Sequence, residues 1–223
     1  KFRYGKEISK VNWNTGFDKD GRPIWNMEKV PTYDYEAKDI CPASEGGKWW
    51  NPMTVNPETG WVFVPSREIC VDIKSAPLGE GLNPDEITEG KPYWGIGTIG
   101  WNTGYGQLVA FDGKTGEKKW VVKDRSPFTS GLLSTRGGLV FAGTPEGEFR
   151  AYHQDTGEEL WSFQTGSGIF GSPSTYTVDG KQYVAVPSGF GGWTGWAHFG
   201  EGGAPWLKGS RKGGIVVVFG LSD

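Results

Sequence analysis

The sequence is poor in the residues that build metal and redox centres: it has two cysteines, Cys41 and Cys70, and two histidines, His153 and His198. No CxxC pair, no CxxCH haem-attachment motif and no Cys/His zinc pattern can be built from these. By spacing alone the cysteines leave two readings open: buried free thiols, or a disulfide if the compartment is oxidising. Heptads are also missing, which excludes a long coiled coil. No apolar run approaches the roughly 18–20 residues of a membrane-spanning helix. Acids outnumber bases, 26 to 23, for a net charge of −3. No broad electropositive surface follows, so nucleic acid and anionic membrane are not expected as partners. The opening Lys1-Phe2-Arg3-Tyr4-Gly5-Lys6 is not followed by the apolar core of a signal peptide, and there is no initiator Met. The chain is therefore expected to begin within a longer or processed polypeptide.

Glycine and tryptophan, by contrast, are abundant: 37 Gly and 12 Trp in 223 residues. That aromatic content argues against disorder. Much Gly beside much aromatic surface indicates short strands joined by tight turns, in one all-β domain or two small ones. An internal repeat supports this. Ala110-Phe111-Asp112, Lys114-Thr115-Gly116 and Trp120 return as Ala151-Tyr152-His153, Asp155-Thr156-Gly157 and Trp161. The Ala, Thr-Gly and Trp positions recur at a spacing of 41 residues. A period near 40 marks stacked supersecondary units such as propeller blades.

Leu108–Asp112 reads as a strand with Val109 and Phe111 on one face and Leu108 and Ala110 on the other. Asp112–Gly116 is the turn and Trp120–Val122 the returning strand, with Trp wide enough to wedge between blades. Phe149–Tyr152 and Leu160–Phe163 repeat that hairpin around Asp155-Thr156-Gly157. Further strands are expected at Thr54–Asn56, Trp61–Val64, Gly138–Gly143, Ser174–Val178, Gln182–Val186 and Gly214–Phe219. Residues 75–93 and 189–213 read as long loops, the second rich in Gly and Trp, and long loops in compact β folds are often functional. The fold expected is an all-β propeller segment over residues 1–223, with about four blades of four antiparallel strands.

The repeat Ala-x-Asp-x-x-x-Gly-x-x-x-Trp resembles the tryptophan docking motif of the quinoprotein alcohol and methanol dehydrogenases. These are eight-bladed propellers that use pyrroloquinoline quinone (PQQ) and a calcium or lanthanide ion. Other stretches resemble the family in the same order. They include Val11–Asp18 with Gly21-Arg22-Pro23-Ile24, Ile40-Cys41-Pro42 with Gly46-Gly47-Lys48, and Asn51-Pro52-Met53 with Asn56–Gly60. Thr129–Thr135, Asp179–Val186 and Gly189-Phe190-Gly191-Gly192-Trp193 complete the set. The resemblance covers nearly the whole chain and is to the C-terminal portion of the family only, about half of the ring.

The resemblance implies one side of a quinone pocket. In Gly46-Gly47-Lys48-Trp49-Trp50-Asn51, Trp50 matches the family's Trp, while Trp49 stands where Asn is usual. An indole can donate a hydrogen bond but lacks the amide's acceptor. Lys48 is placed to offer charge to a PQQ carboxylate. Thr129 falls where some relatives have a Trp beside the cofactor. Trp193 matches a position near the mouth of the site, in the loop 189–213 that also carries Trp196, Phe199 and Trp206. Cys41 and Cys70 resemble a structural disulfide of the family. The family's adjacent cysteine pair, metal ligands and catalytic base have no counterpart, and Asp18, Asp34 and Asp39 read as solvated turn acids. His153 reads as a turn hydrogen-bonder, and His198 as a residue of the Gly/Trp loop.

The implied activity is oxidation of a small alcohol to the aldehyde, with a carboxylate base and electrons leaving to a cytochrome c. The implied partners are the remaining N-terminal half of the propeller, the alcohol and the cytochrome, in the periplasm. The alternative is a non-catalytic propeller scaffold that binds other proteins, which would need only the repeats.

Overall fold

The computed structural model describes residues 3–44, 46–75, 96–102, 104–189 and 211–221. The expected all-β architecture is present: the described residues form strands and one short 3-10 turn, Met27–Lys29. The first strands are β1 (Asn14–Phe17), β2 (Pro23–Trp25), β3 (Ala37–Ile40), β4 (Thr54–Val55) and β5 (Trp61–Glu68). Then come β6 (Val71–Ser75), β7 (Ile96–Trp101), β8 (Tyr105–Asp112), β9 (Lys118–Asp124), β10 (Leu133–Ser134) and β11 (Leu139–Gly143). The last are β12 (Glu148–His153), β13 (Glu159–Gln164), β14 (Ser174–Val178), β15 (Lys181–Ser188) and β16 (Ile215–Gly220). The chain divides into two compact units, residues 1–47 with 68–104, and residues 48–67 with 105–223.

The first unit holds the hairpin β1-β2 and the antiparallel sheet β3-β6-β7. These strands carry no repeat and no clean alternation, and were not among those expected. Asn12 ties the end of β3 in place. Its backbone N–H donates to the Cys41 carbonyl at 3.0 Å, its Oδ1 accepts from Cys41 N–H at 2.8 Å, and its Nδ2 donates to the Asp39 carbonyl at 2.7 Å. Cys41 and Cys70 are joined in a disulfide, so the thiol reading is closed and the pairing implied by the family resemblance is present. Ala37, Ile40, Ile69 and Val71 are buried around it. Asp18 is a turn acid as expected: its carboxylate accepts the N–H groups of Asp20 and Arg22 at 2.8 and 2.9 Å.

The second unit holds three antiparallel sheets in consecutive order: β4-β5-β8-β9, β10-β11-β12-β13 and β14-β15-β16. The first two are four-stranded meanders of the kind that make propeller blades. The middle sheet is covered on both faces. Val140, Ala142 and Tyr152 pack on one side with Phe63, Leu108 and Ala110, while Phe141, Phe149 and Ala151 pack on the other with Ile169 and Val186. This is why the strand segments read as near-continuous apolar runs rather than alternating ones. For the same reason the two faces assigned to Leu108–Phe111 are both buried. Most strands also run one to four residues beyond the apolar stretch that announces them.

The repeat turns are built alike. The side chain of Asn56, Asp112 or His153 accepts an N–H two residues on, at 2.9, 2.8 and 3.2 Å, and Thr59, Thr115 or Thr156 does the same for residues 61, 117 and 158. His153 is thus a turn residue, its Nδ1 serving where Asp112 uses a carboxylate. The N–H groups of Thr115 and Lys114 hold the Asp112 carboxyl below the usual range. These turns aim the tryptophans. Trp120 donates its Nε1–H to the Gln154 carbonyl at 2.8 Å, one repeat away, and lies flat where Gly157 leaves room. Gly157 has φ +74°, and a Cβ there would stand 2.8 Å from the Trp120 ring. Trp161, at the equivalent position, meets the next sheet edge-on, with its ring centroid 5.0 Å from that of Phe219, and stays 39% exposed. Arg150 on β12 adds a polar tie, pairing with Asp124 at the end of β9 and with Glu148.

Two outcomes follow from this packing. Gly157→Ala forces a left-handed Ala and displaces Trp120, so urea unfolding is expected to show a loss of about 2–4 kcal/mol. An unchanged midpoint would remove the docking role of Gly157. Replacing both cysteines by Ser frees a loop of about 30 residues and is expected to lower stability by about 3 kcal/mol in the chain-entropy model. Intact mass of protein prepared without reductant should show no free thiol.

Candidate functional site

In the second unit, each sheet is entered by a loop that precedes its first strand: residues 48–53 before β4, 126–132 before β10, and 165–173 before β14. The backbone of these loops is knitted together. Leu132 N–H donates to the Pro52 carbonyl at 3.0 Å, while Ile169 N–H donates to the carbonyl of Thr144, in the turn between β11 and β12, at 3.0 Å. Close packing leaves little room for a side chain: a Cβ on Gly131 would stand 2.2 Å from Ser172 Oγ and 3.0 Å from Pro52.

Thr129 and the Trp49–Trp50 segment, expected on one pocket from positions 80 residues apart, do come together. Asn51, 7% exposed, donates its Nδ2–H to the Thr129 carbonyl, and Thr129 Oγ1–H donates to the Ile169 carbonyl at 2.8 Å. Thr129 is therefore a buried joint between the three loops. Beyond it, Thr165, Ser167 and Ser188 form a buried hydroxyl cluster: Thr165 Oγ1 and Ser188 Oγ are 2.8 Å apart, and Ser167 Oγ–H donates to the Arg211 carbonyl at 2.7 Å. Gly189 and Gly213 stand so close that a Cβ on Gly189 would lie 2.3 Å from the Gly213 carbonyl. The ends of loop 189–213 thus leave side by side next to Ile169, with which Gly189 forms a bridge. Trp193, Trp196, His198, Phe199 and Trp206 lie outside the described residues.

Trp49 and Trp50 stack with ring centroids 4.4 Å apart and planes inclined by 39°. Trp50 is 60% exposed. Arg67 places its guanidinium 4.6 Å from the Trp49 ring centroid, within cation–π range. Arg67 is only 6% exposed. Lys48 bends back to donate from Nζ to the Trp49 carbonyl at 2.7 Å, and burial pushes its ammonium below the usual lysine range. The result is an exposed indole, Trp50, beside a second, Trp49, that two basic residues contact, an arrangement suited to a flat, negatively charged ring.

Reading the sequence finds Lys48, Trp49, Trp50 and Thr129 but not Asn51 or Arg67. Asn51 acts through a contact 78 residues away, and no local pattern announces it. Arg67 is visible only once β4 and β5 are paired: the register Thr54↔Phe63, carried four residues further toward the loop, brings Arg67 level with Trp50. Among the described residues, Asp39, Cys41 and Cys70 come close enough to suggest a cation site, but the disulfide consumes both sulfurs.

Known proteins match the chain along nearly its whole length. A model of the glucose/ethanol/alcohol dehydrogenase β-propeller domain, a PQQ family, matches residues 123–184. The quinoprotein alcohol dehydrogenase PedH of Pseudomonas putida is 42% identical over 222 residues, covering 96% of this chain and 36% of that protein. A lanthanide-dependent methanol dehydrogenase of Methylacidiphilum fumariolicum is 35% identical over 235 residues, covering 95% of this chain and 37% of that protein. Among solved structures, a europium-containing methanol dehydrogenase superposes with a TM-score of 0.85 at 33% identity, over 96% of this chain and 40% of that one. The chain spans about a third of the length of the curated relatives it matches, from 28% to 37%.

The joint at Thr129 yields a stability outcome. Asn51→Ala leaves the buried Thr129 carbonyl without its amide donor and is expected to cost about 1–3 kcal/mol. Urea denaturation checks it, and a loss below about half a kcal/mol would mean that water replaces the amide.

Proposed function

This chain belongs to the quinoprotein alcohol dehydrogenase β-propeller family, and from that premise we propose that it forms the C-terminal blades of a PQQ- and metal-dependent enzyme. The reaction proposed is oxidation of a small alcohol to the aldehyde, with electrons passing to a cytochrome c in the periplasm. The observation that carries this reading is the exposed Trp50 indole packed against Trp49, which Lys48 and Arg67 both contact. A carboxylate-bearing fused quinone fits that donor set: a flat ring for the indole and negative charge for the cations.

When bound, PQQ supplies the hydride-accepting carbonyl, assisted by a calcium or lanthanide ion held by residues outside this chain. The residues of this chain bind and orient. Trp50 offers the stacking plane, and Lys48 offers charge to a carboxylate. Thr129, Asn51 and Ile169 hold the three loops in one arrangement, so that the plane is set before ligand arrives. Trp193 is proposed near the mouth of the site, on the loop whose ends emerge beside Ile169. No residue of this chain is proposed as the catalytic base.

The partner proposed for the chain itself is the N-terminal remainder of the propeller. In support, among the described residues β14-β15-β16 has three strands where the other two sheets of this unit have four, and β16 presents Ile215, Val216 and Val218 to solvent. Such a run of apolar residues on an edge strand suits burial under further chain.

The test uses the full polypeptide carrying this chain, reconstituted with PQQ and calcium or a lanthanide. Quinone absorbance and metal analysis should show both retained after desalting, and Trp50→Ala should weaken quinone retention by about tenfold. A full polypeptide that folds yet retains no quinone would overturn the enzyme reading in favour of a protein-binding scaffold.

A further inference from the structure

Between the sheets β10-β11-β12-β13 and β14-β15-β16 lies an apolar groove of about 480 Å³. Leu139, Phe141 and Trp161 line it on one side, and Val184, Phe219 and Leu221 on the other. We propose that this groove seats one further β-strand, from polypeptide outside residues 1–223, which pairs antiparallel with β16 and completes a four-stranded sheet. This inference rests on the reading above that the chain joins the remainder of a propeller, and not on the quinone.

The molecule carries its own template for the contact. Strands β14, β15 and β16 stand in the order of β10, β11 and β12, joined by the same antiparallel ladders. Strand β12 goes on to pair with β13, whereas among the described residues β16 pairs with β15 alone. One repeat earlier, Trp120 and Val122 are half-buried, because the turn leading into β13 lays Gly157 on both. A Cβ there would stand 2.8 Å from the Trp120 ring and 3.1 Å from Val122. Trp161 and Phe163 hold the same two places on β13, yet they are 39% and 45% exposed.

The sequence of β16 is that of an inner strand. Its six residues, Ile215–Gly220, carry no charge and no proline, the residues by which natural sheets blunt an edge. Val217 and Phe219 pack toward the middle sheet, while Val216 and Val218 are exposed. Apolar side chains on both faces mark a strand covered on both faces. A strand also fits this seat better than a compact ligand. The edge offers a row of backbone N–H and C=O groups, and the groove beside it takes alternate side chains. The loop 189–213 starts and ends at the Ser188–Ile215 end of the ladder, away from Gly220 and Leu221, which line the groove. The occupant expected therefore matches β16 in length, is apolar at alternate positions, and brings a glycine onto Trp161 as Gly157 is brought onto Trp120.

The test uses the full polypeptide that carries this chain. Hydrogen exchange, resolved to single residues, reads the amides of Ile215–Gly220. At a sheet edge every other N–H points away from the ladder and exchanges fast; in an inner strand all are held. The outward-pointing amides are expected to exchange about a hundredfold more slowly than in the unfolded chain. Photo-crosslinking from Leu221→p-benzoylphenylalanine then identifies the neighbour, and an adduct to a segment of the same polypeptide outside residues 1–223 is expected. Fast exchange at alternate β16 amides in the folded wild type would overturn the proposal. So would an adduct to residues 76–95, to residues 190–210 or to a second copy of the chain. Quinone retention, read on the same preparation, keeps the two readings apart. Quinone retained beside a fast-exchanging β16 removes the strand and leaves the enzyme; a protected β16 without quinone leaves the strand and removes the enzyme.

Discussion

The docking of Trp120 on Gly157 is the contact on which the rest of this structure depends. It joins two consecutive sheets at one point through three demands at once. The indole needs a flat bed, which only a residue without Cβ provides; its N–H needs an acceptor, which is the Gln154 carbonyl; and the turn that presents both must hold a left-handed residue. Glycine meets the first and third demands together. Once that spacing between sheets is set, the apolar side chains between them have one way to fill it, and Phe63, Leu108, Val140 and Tyr152 do so with no solvent contact. Gln154 is the polar counterpart. Its amide is 2% exposed and bonds to Asn56, Thr135 and Leu139, so a misplaced turn would strand several buried polar groups.

That dependence explains which parts of the fold are legible in the sequence. The docking unit must recur in every blade that uses it, so Ala110/Ala151, Gly116/Gly157 and Trp120/Trp161 stand out at one period. Strands β8, β9, β12 and β13 follow from them. Strands β1, β2, β3, β6 and β7 make no such contact and carry no such pattern. They are held by devices that sequence does not display: the Asn12 clamp on Cys41, the disulfide, and registers with irregularities between Ala37 and Ile40. The cysteine spacing allows either thiols or a bond, and only family resemblance points to the bond that the structure contains.

The candidate site divides in the same way. Lys48, Trp49, Trp50 and Thr129 are legible because a family pattern marks those positions. Asn51 and Arg67 are not, because each acts across a distance in sequence that only strand pairing closes. Burial made both appear ordinary: a polar residue after two tryptophans and an arginine in an apolar strand have no local signature. Their roles come from what they touch. Asn51 spends its amide on the Thr129 carbonyl, and Arg67 spends its flat face on Trp49.

The net charge of −3 excludes a polyanion-binding surface in the large, yet the site proposed here binds an anion. The two statements agree because recognition of a small ligand is set by the local field, not by the sum of distant surface charges, which water and salt screen. Lys48 bonds to the backbone carbonyl of Trp49 and Arg67 lies over its ring, in partly or wholly buried positions where screening is weak. The exchange of an amide for Trp49 then has a physical logic. An indole gives up the amide's acceptor but gains a surface on which a cation can rest.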